Sequence, residues 1–482
     1  MDFKGFTEFG FKTAKIAPQG KSEAKDFVPI TTLINSFNYV ENVTTPFLSA
    51  SLEVVDSGGL LQGLPIKGAE TVQIEVTTNL GDFTYEFVVW KVANRFIQNK
   101  KQVYTLGLIS PEALNNEILR MEQALSGNPS NIIANILEDT LKTKKDFNRE
   151  LAKFDVKMIP NSKRPFDVAA LLAVRSVSPQ GKYEEDTSSA GDTQSTTDRE
   201  SKKAKGSGGF FFWESKRGYN FYAVDTLCAD ENSELKSKEW KVEPHGPYIE
   251  RMANQDDADE RFLIYKSVFS GELDLLASLR KGKYSSFLAF FNHSTGQYEE
   301  YVYRIKDSYD NMAHLGGQEG INLIPTSKAF FDQEVKLSDY PTRRMSILLD
   351  HETWYNDAGI ASPDEGDGSD SPTQFADWQK YYSAQAIARY ELLKNQKCSI
   401  VIPGNANICA GDTVDIRLQS KLPDAQAKET PYDQESSGIY LIEEVTHEYD
   451  RTVGTNGRFL TTLRLMRDSY GMKNKQSNHG SK

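Results

Sequence analysis

The feature that most constrains this chain is a repeat carried by its two ends. Ala69-Glu70-Thr71-Val72-Gln73-Ile74-Glu75-Val76 matches Gly411-Asp412-Thr413-Val414-Asp415-Ile416-Arg417-Leu418, with the acid, the threonine and the apolar positions coinciding. Phe87 to Val92 matches Tyr440 to Val445, and Tyr104 to Ile109 matches Thr461 to Met466. Apolar and polar residues alternate, which is the period of a strand with one face buried. Any two amphipathic strands look alike, because only two residue classes alternate. Three blocks in one order, with Thr-Val-x-Ile in register, go further and predict an internal duplication. The second copy is longer between its first two blocks. The extra length is the polar stretch Lys421 to Ser437, as expected of an insertion in a loop.

The same period marks Leu48, Ala50, Leu52 and Val54 before the turn Asp56-Ser57-Gly58-Gly59, and again Phe83, Tyr85, Phe87 and Val89. Residues 1–115 are therefore expected to form a small antiparallel tube-like β-barrel, and residues 398–471 a second one. Asn128-Pro129 supplies a cap and a first-turn proline for a helix whose apolar face is Ile132, Ile133, Ile136, Leu137 and Leu141. Pro165 opens another through Val168, Leu171 and Leu172. Residues 116–208 thus read as a helical or mixed region ending in a polar loop over 178–208, which has too little apolar surface to offset ordering entropy. Phe210 to Trp213 and Tyr219 to Val224 flank Lys216-Arg217-Gly218, so 209–226 reads as a hairpin expected to join the second barrel. Residues 227–397 read as mixed α/β, with an acidic loop at 364–370 and one long helix through Trp378, Tyr382, Ile387 and Leu392, ending near Lys397. Residues 472–482 form a polar tail. The fold class is mainly β with α+β insertions, built on two barrels related by duplication.

At 482 residues the chain has room for two to four domains. Its net charge is −12, from 68 acidic and 56 basic residues, which gives no electrostatic footprint for gripping phosphates. No apolar run approaches the ~20 residues that span a bilayer, so no membrane partner is expected. Met1 to Lys15 lacks the continuous apolar stretch of a signal peptide, which points to synthesis and retention in the cytoplasm. Cys228, Cys398 and Cys409 have no CxxC spacing and read as reduced thiols. His447 and Asp450 lie close to Glu443 and Glu444, but strand alternation is expected to put the two glutamates on opposite faces. That favours a structural polar ladder over a metal or acid–base cluster. The other histidines lack HxH or HxxxH spacing, and Asp364 to Asp370 lacks the alternating ligands and distal Glu of a calcium loop. No GxSxG, P-loop or GxGxxG occurs. Catalytic, cofactor-binding and metal residues are accordingly expected to be none, and no cofactor is expected.

One family fits these residues. Pro403-Gly404, Gly411-Asp412-Thr413-Val414, Ser437-Gly438-Ile439-Tyr440-Leu441-Ile442, Val445, His447, Tyr449-Asp450 and Phe459 through Gly471 resemble the closing barrel of central baseplate hub proteins of contractile-tailed bacteriophages. The hub part of type VI secretion spike trimers is similar. Pro46 to Ala50 through Asp56, then Leu64 to Gly68 and Glu70, resemble the opening barrel of the same family. The resemblance implies a non-enzymatic homotrimer whose paired barrels make a pseudo-six-fold ring. Such a ring meets the hexameric tail tube protein on one face and the trimeric spike protein on the other, with baseplate wedge proteins around it. It implies a place in the virion tail baseplate, assembled in the host cytoplasm, through which DNA passes without specific binding. The chain ends soon after Gly471, so the spike is expected to be a separate protein. A bore that releases DNA should be lined neutral or negative, with Gln73, Glu75, Asp415 and Arg417 among the polar-face candidates. The alternatives are a tail-associated cell-wall hydrolase, whose carboxylates would lie within 227–395, and the hub of a type VI-like injection system.

Overall fold

Alternation in the first hundred residues becomes six strands in the computed structural model. They are β1 (Phe9–Ala17), β2 (Ile34–Asn42), β3 (Ser49–Asp56), β4 (Thr71–Thr78), β5 (Gly81–Gln98) and β6 (Lys101–Ile109). The structure describes residues 5–21, 23–64, 66–98, 101–178, 182–183, 204–205, 207–229, 242–251, 259–270, 274–292, 296, 298–317, 324–327, 334–349, 382–422, 431–454 and 456–472. The six strands pair in the order β1-β4-β5-β6-β3-β2, every pair antiparallel. Their inward residues, among them Leu52, Val54, Val72, Ile74, Phe87, Leu106 and Leu108, form one apolar core.

The middle of the chain builds a second core. Helix α1 (Pro129–Asn135) starts where Asn128 accepts the Ser130 N–H, and it runs on as a π turn over Ile136–Thr140. Helix α2 (Pro165–Arg175) follows. Strands β7 (Phe210–Ser215) and β8 (Gly218–Ala223) form the expected hairpin. Next come β9 (Pro244–Glu250), β10 (Lys266–Phe269), then β11 (Ser285–Asn292), β12 (Tyr298–Arg304) and β13 (Arg343–Leu349), the last three a separate sheet in the order β12-β11-β13. Helix α3 (Ser383–Leu392) stops short of Lys397: the Asn395 N–H closes onto the Leu392 carbonyl and a strand begins at once. Trp378, the acidic loop at 364–370, most of the 178–208 loop and the tail beyond Met472 lie outside the described residues.

Four strands close the chain: β14 (Gln396–Pro403), β15 (Thr413–Arg417), β16 (Gly438–Asp450) and β17 (Arg458–Arg467). With β9 and β10 they pair as β9-β15-β16-β17-β14-β10, the order of the N-terminal six. The registers coincide as well. Val72 faces Phe87 and Val414 faces Tyr440; Val89 faces Leu108 and Ile442 faces Leu465; Ala50 faces Leu108 and Cys398 faces Leu465. Each long strand carries a bulge at the same step, Trp90 in β5 and Glu443 in β16. Two features differ: β1 runs antiparallel to β4 whereas β9 runs parallel to β15, and β5 has a second register shift, between Ala93 and Phe96, that β16 lacks.

The turn leading into each repeat matches in backbone too. Ala69 and Gly411 have φ of 65° and 89°. The Ala69 N–H reaches the Val89 carbonyl at 2.7 Å, and the Gly411 N–H reaches that of Ile442 at 3.0 Å. Only the second site is crowded, since a Cβ on Gly411 would lie 2.4 Å from the Trp213 ring. Gly411→Ala should therefore destabilise by about 2–3 kcal/mol, because a buried indole cannot yield. Ala69→Gly should change stability by less than ~1 kcal/mol, since relief of the left-handed alanine offsets the entropy lost by glycine. Urea unfolding of both variants checks this; equal losses would refute the contrast.

Three expectations need correction. The two sheet halves are not separate barrels: β2 spends its outer edge on β16, from Asn42 opposite Glu444 to Ser36 opposite Asp450. Among the described residues the hydrogen bonding therefore runs as one open 14-stranded sheet, the twelve strands above plus the two-residue strands Val28–Pro29 beside β1 and Leu263–Ile264 beside β9. The β7–β8 hairpin does not enter that ladder, because the free edge of β8 takes Phe147–Arg149 in parallel. It contributes side chains instead: Phe211 and Trp213 enter the C-terminal core, while Phe210 and Phe212 face the helical one. Finally, the bulge suspends alternation at Glu443 and Glu444, so both are half-exposed, Glu443 bound by Lys397 at 2.8 Å and Glu444 by Arg464 at 3.3 Å.

Candidate functional site at the sheet junction

The β2–β16 ladder is where two halves of the chain become one surface. Its inward side chains interleave. His447 stacks on Tyr39, with centroids 5.7 Å apart, and Tyr449 stacks on Phe37 at 5.8 Å and on Phe459 at 4.3 Å. Tyr449 and Phe459 belong to the N-terminal core although they come from the C-terminal hairpin, so neither core is complete without the other half. The Tyr85 and Tyr449 hydroxyls lie 3.1 Å apart across the same boundary. His447 pairs with the Thr461 hydroxyl at 3.0 Å. Burial pushes its pKa down to about 3, with the Lys216 charge adding to the effect. It is a neutral core histidine.

Buried carboxylates fasten the middle of the chain to this junction. Asp412, the acid of the second repeat, accepts both guanidinium arms of Arg217, at 2.8 and 3.1 Å, and sits 2.8 Å from His245 Nε2. It also accepts the Cys409 and Glu243 N–H groups. Among the described residues Glu70, its counterpart, accepts only the N–H groups of Lys67 and Gly68. The two matched positions thus carry different loads, a turn at Glu70 and a turn plus an anchor at Asp412. Glu41 on β2 accepts the Tyr39 hydroxyl and the Lys216 and Ala410 N–H groups, and burial raises its pKa.

Two further ties hold the helical region. Asp468, just after β17, accepts Arg389 at 2.7 Å and the Leu315 N–H at 3.0 Å, and lies 2.7 Å from His314 Nδ1. Burial acts to raise its pKa, but the His314 bond and the Arg389 charge hold it far below the carboxylate range. Glu214 on β7 accepts the Ser110 hydroxyl and the Leu48 N–H, and it shares Lys145 with Glu112, each at 2.6 Å. Sequence spacing had no means of finding these groups, because their partners lie far apart in the chain. The cluster weighed in the sequence is dispersed: His447 is buried, Glu443 and Glu444 have separate cations, and Asp450 accepts from Thr452. Among the described residues no group of three His, Cys, Asp or Glu is arranged to hold a metal.

The junction leaves two open edges. Beyond Val88, β5 has no ladder partner on its outer side among the described residues, and neither has β10 on the side away from β14. Both edges mix exposed apolar side chains with charged ones such as Lys91, Arg95 and Lys266. Trp90, Phe96 and Ile97 are 56%, 60% and 60% exposed, and Val268 and Tyr265 are 44% and 50% exposed. Isolated exposed apolar residues are ordinary, but a run of them along an unpaired strand is an association surface.

No protein-family model and no curated protein matches this chain. Solved structures do. A tail protein from Neisseria meningitidis aligns at 10% identity and TM-score 0.47, over 95% of this chain and 97% of that one. The 43 kDa tail protein of prophage MuSo2 from Shewanella oneidensis aligns at 10% identity and TM-score 0.42, over 95% and 98%. An Escherichia coli type VI secretion system component, itself described as similar to T4 bacteriophage tail proteins gp27 and gp5, aligns at 10% identity and TM-score 0.39, over 97% and 79%. Solved structures this chain is similar to thus include tail proteins and a type VI secretion component.

Proposed function

We propose that this protein is a non-enzymatic structural subunit of a contractile-tail baseplate hub. In this reading it assembles as a homotrimer that joins a hexameric tail tube to a trimeric spike, contacts the surrounding wedge proteins, and lets DNA pass. The observation that carries it is the matched register of the two six-strand arrays, with the bulge at Trp90 and Glu443 and the left-handed residue at Ala69 and Gly411. Alternation alone has no reason to reproduce a bulge and a positive φ at equivalent steps, so both support duplication of one unit. Three chains then offer six similar units to a six-fold partner while keeping a three-fold axis for another. The acidic excess, 68 against 56, suits a bore that must release DNA.

Mass photometry of the purified chain, alone and with its spike, is expected to show a species of three times the 54.2 kDa subunit. A monomer or dimer under every condition would remove the ring. A cell-wall zymogram with the same protein should be blank, and a lytic zone would favour the hydrolase reading instead.

A further inference from the structure

The β12-β11-β13 sheet is separate from the two arrays, and its topology collects unanswered donors at one end. Ser285 opens β11 directly opposite Arg304, which closes β12. Two residues further on, Phe287 stands between Val302 of β12 and Arg344 of β13. Alternation puts Ser285, Phe287, Arg304 and Arg344 on one face. The opposite face, with Leu288, Phe290, Tyr301 and Tyr303, fills the helical core. On the first face Arg344 is exposed and Phe287 and Arg304 are half-buried, yet Ser285 is fully buried. The turn Leu337–Asp339 packs on β11, and Asp339 ties it to Lys306, 2.6 Å away and just past β12. Its Ser338 is fully buried as well.

Three buried donors here have no hydrogen-bond partner among the described residues: the Ser285 hydroxyl, the Ser338 hydroxyl and the Arg304 Nε. Buried polar groups are normally paired, because an unanswered one has lost its hydration for nothing. Arg344 lies over the Phe287 ring, 5.9 Å from its centroid, and neither it nor Arg304 has an acidic partner among the described residues. Two free cations side by side stand out in a chain of net charge −12. We propose that Arg304, Ser285 and Ser338 form a binding site for a tetrahedral oxyanion of the phosphate type, with Arg344 as its outer cation. The donors come from two strands and a turn, so they approach from different directions. A tetrahedral anion has oxygens to answer all of them, whereas a carboxylate offers two oxygens in one plane. Water could satisfy the hydroxyls but would leave both guanidinium charges unneutralised. The hub reading is not needed for this site.

The test is calorimetric titration of the full chain with sodium phosphate, against sodium chloride and sodium acetate at equal ionic strength. One saturable phosphate site per chain is expected. Arg304→Gln should weaken it about 10- to 100-fold, the usual loss for a charge-assisted donor. Ser285→Ala should weaken it about 5- to 10-fold while leaving the anion-free protein no less stable, since that hydroxyl has no partner to lose. This second variant carries the test if Arg304→Gln fails to fold by circular dichroism. Arg261→Gln, which removes an exposed guanidinium elsewhere, should leave binding unchanged. Cosedimentation with phosphatidylcholine vesicles, with and without phosphatidylglycerol, separates the sources. Binding to the anionic vesicles alone, lost in Arg304→Gln, assigns a lipid headgroup; a response to inorganic phosphate without vesicle binding assigns the free anion. No binding in either arm overturns the site. So does acetate binding as tight as phosphate, or equal weakening by Arg261→Gln.

Discussion

Arg389→Ala should lower folding stability by about 3–5 kcal/mol, among the largest losses from any single substitution in this chain. Arg389 is fully buried on α3 and donates to Asp468 at 2.7 Å and to the Ala313 carbonyl, with Asp225 at 3.4 Å. Removing it leaves Asp468 buried and without its guanidinium, with His314, the Ser469 hydroxyl and the Leu315 N–H to answer it. Breaking one side of such a pair costs far more than the pair contributes. The double variant Arg389→Met, Asp468→Leu should therefore recover much of the loss. Urea unfolding of the wild type, both single variants and the double variant completes the cycle. A single-variant loss below ~1 kcal/mol would show that the pair bears no load. The structural reading is that α3 and the end of β17 act as one piece.

Acid should weaken the junction through His447. In the unfolded chain this imidazole titrates near 6.5. Folded, burial holds it down to about 3. Between those values the unfolded state binds the extra proton, so stability is full above about pH 6.5 and falls as pH drops. The loss is about 1.4 kcal/mol per unit, on the order of 4 kcal/mol by pH ~3. Glu150 works in the other direction. Burial raises its pKa to about 7, so its contribution is present in acid and fades as pH rises from about 4.5. The two oppose each other between roughly pH 4.5 and 6.5; below that window Glu150 no longer offsets His447, and Asp468, held far below the carboxylate range, adds to the acid loss. His447→Gln, which keeps a partner for Thr461, should flatten the pH dependence relative to wild type from 6.5 to 3. Parallel stability curves for the two proteins across that range would contradict this.

The sequence by itself determined the local order. Period two placed Val72, Ile74, Val414 and Ile416 in apolar cores, and all four are fully buried. Asn128-Pro129 located the start of α1, and Lys216-Arg217-Gly218 located the turn between β7 and β8. The three repeat blocks are strands in matching register. These signals depend on neighbours a few residues apart, which is the range over which alternation and capping operate. Only the tertiary structure decided which edges meet and which charges are answered. Whether β2 closes on its own array or crosses to β16 depends on hydrogen-bond edges that carry no residue code. The bulge at Glu443, which defeated the alternation argument, is a property of a ladder, because it needs a partner strand to be out of step with. Arg217 finds Asp412 at a separation of 195 residues, His314 finds Asp468 at 154 and Arg389 finds it at 79. A buried charge is stable only beside its partner, and that partner is chosen by the packed fold rather than by spacing in the chain.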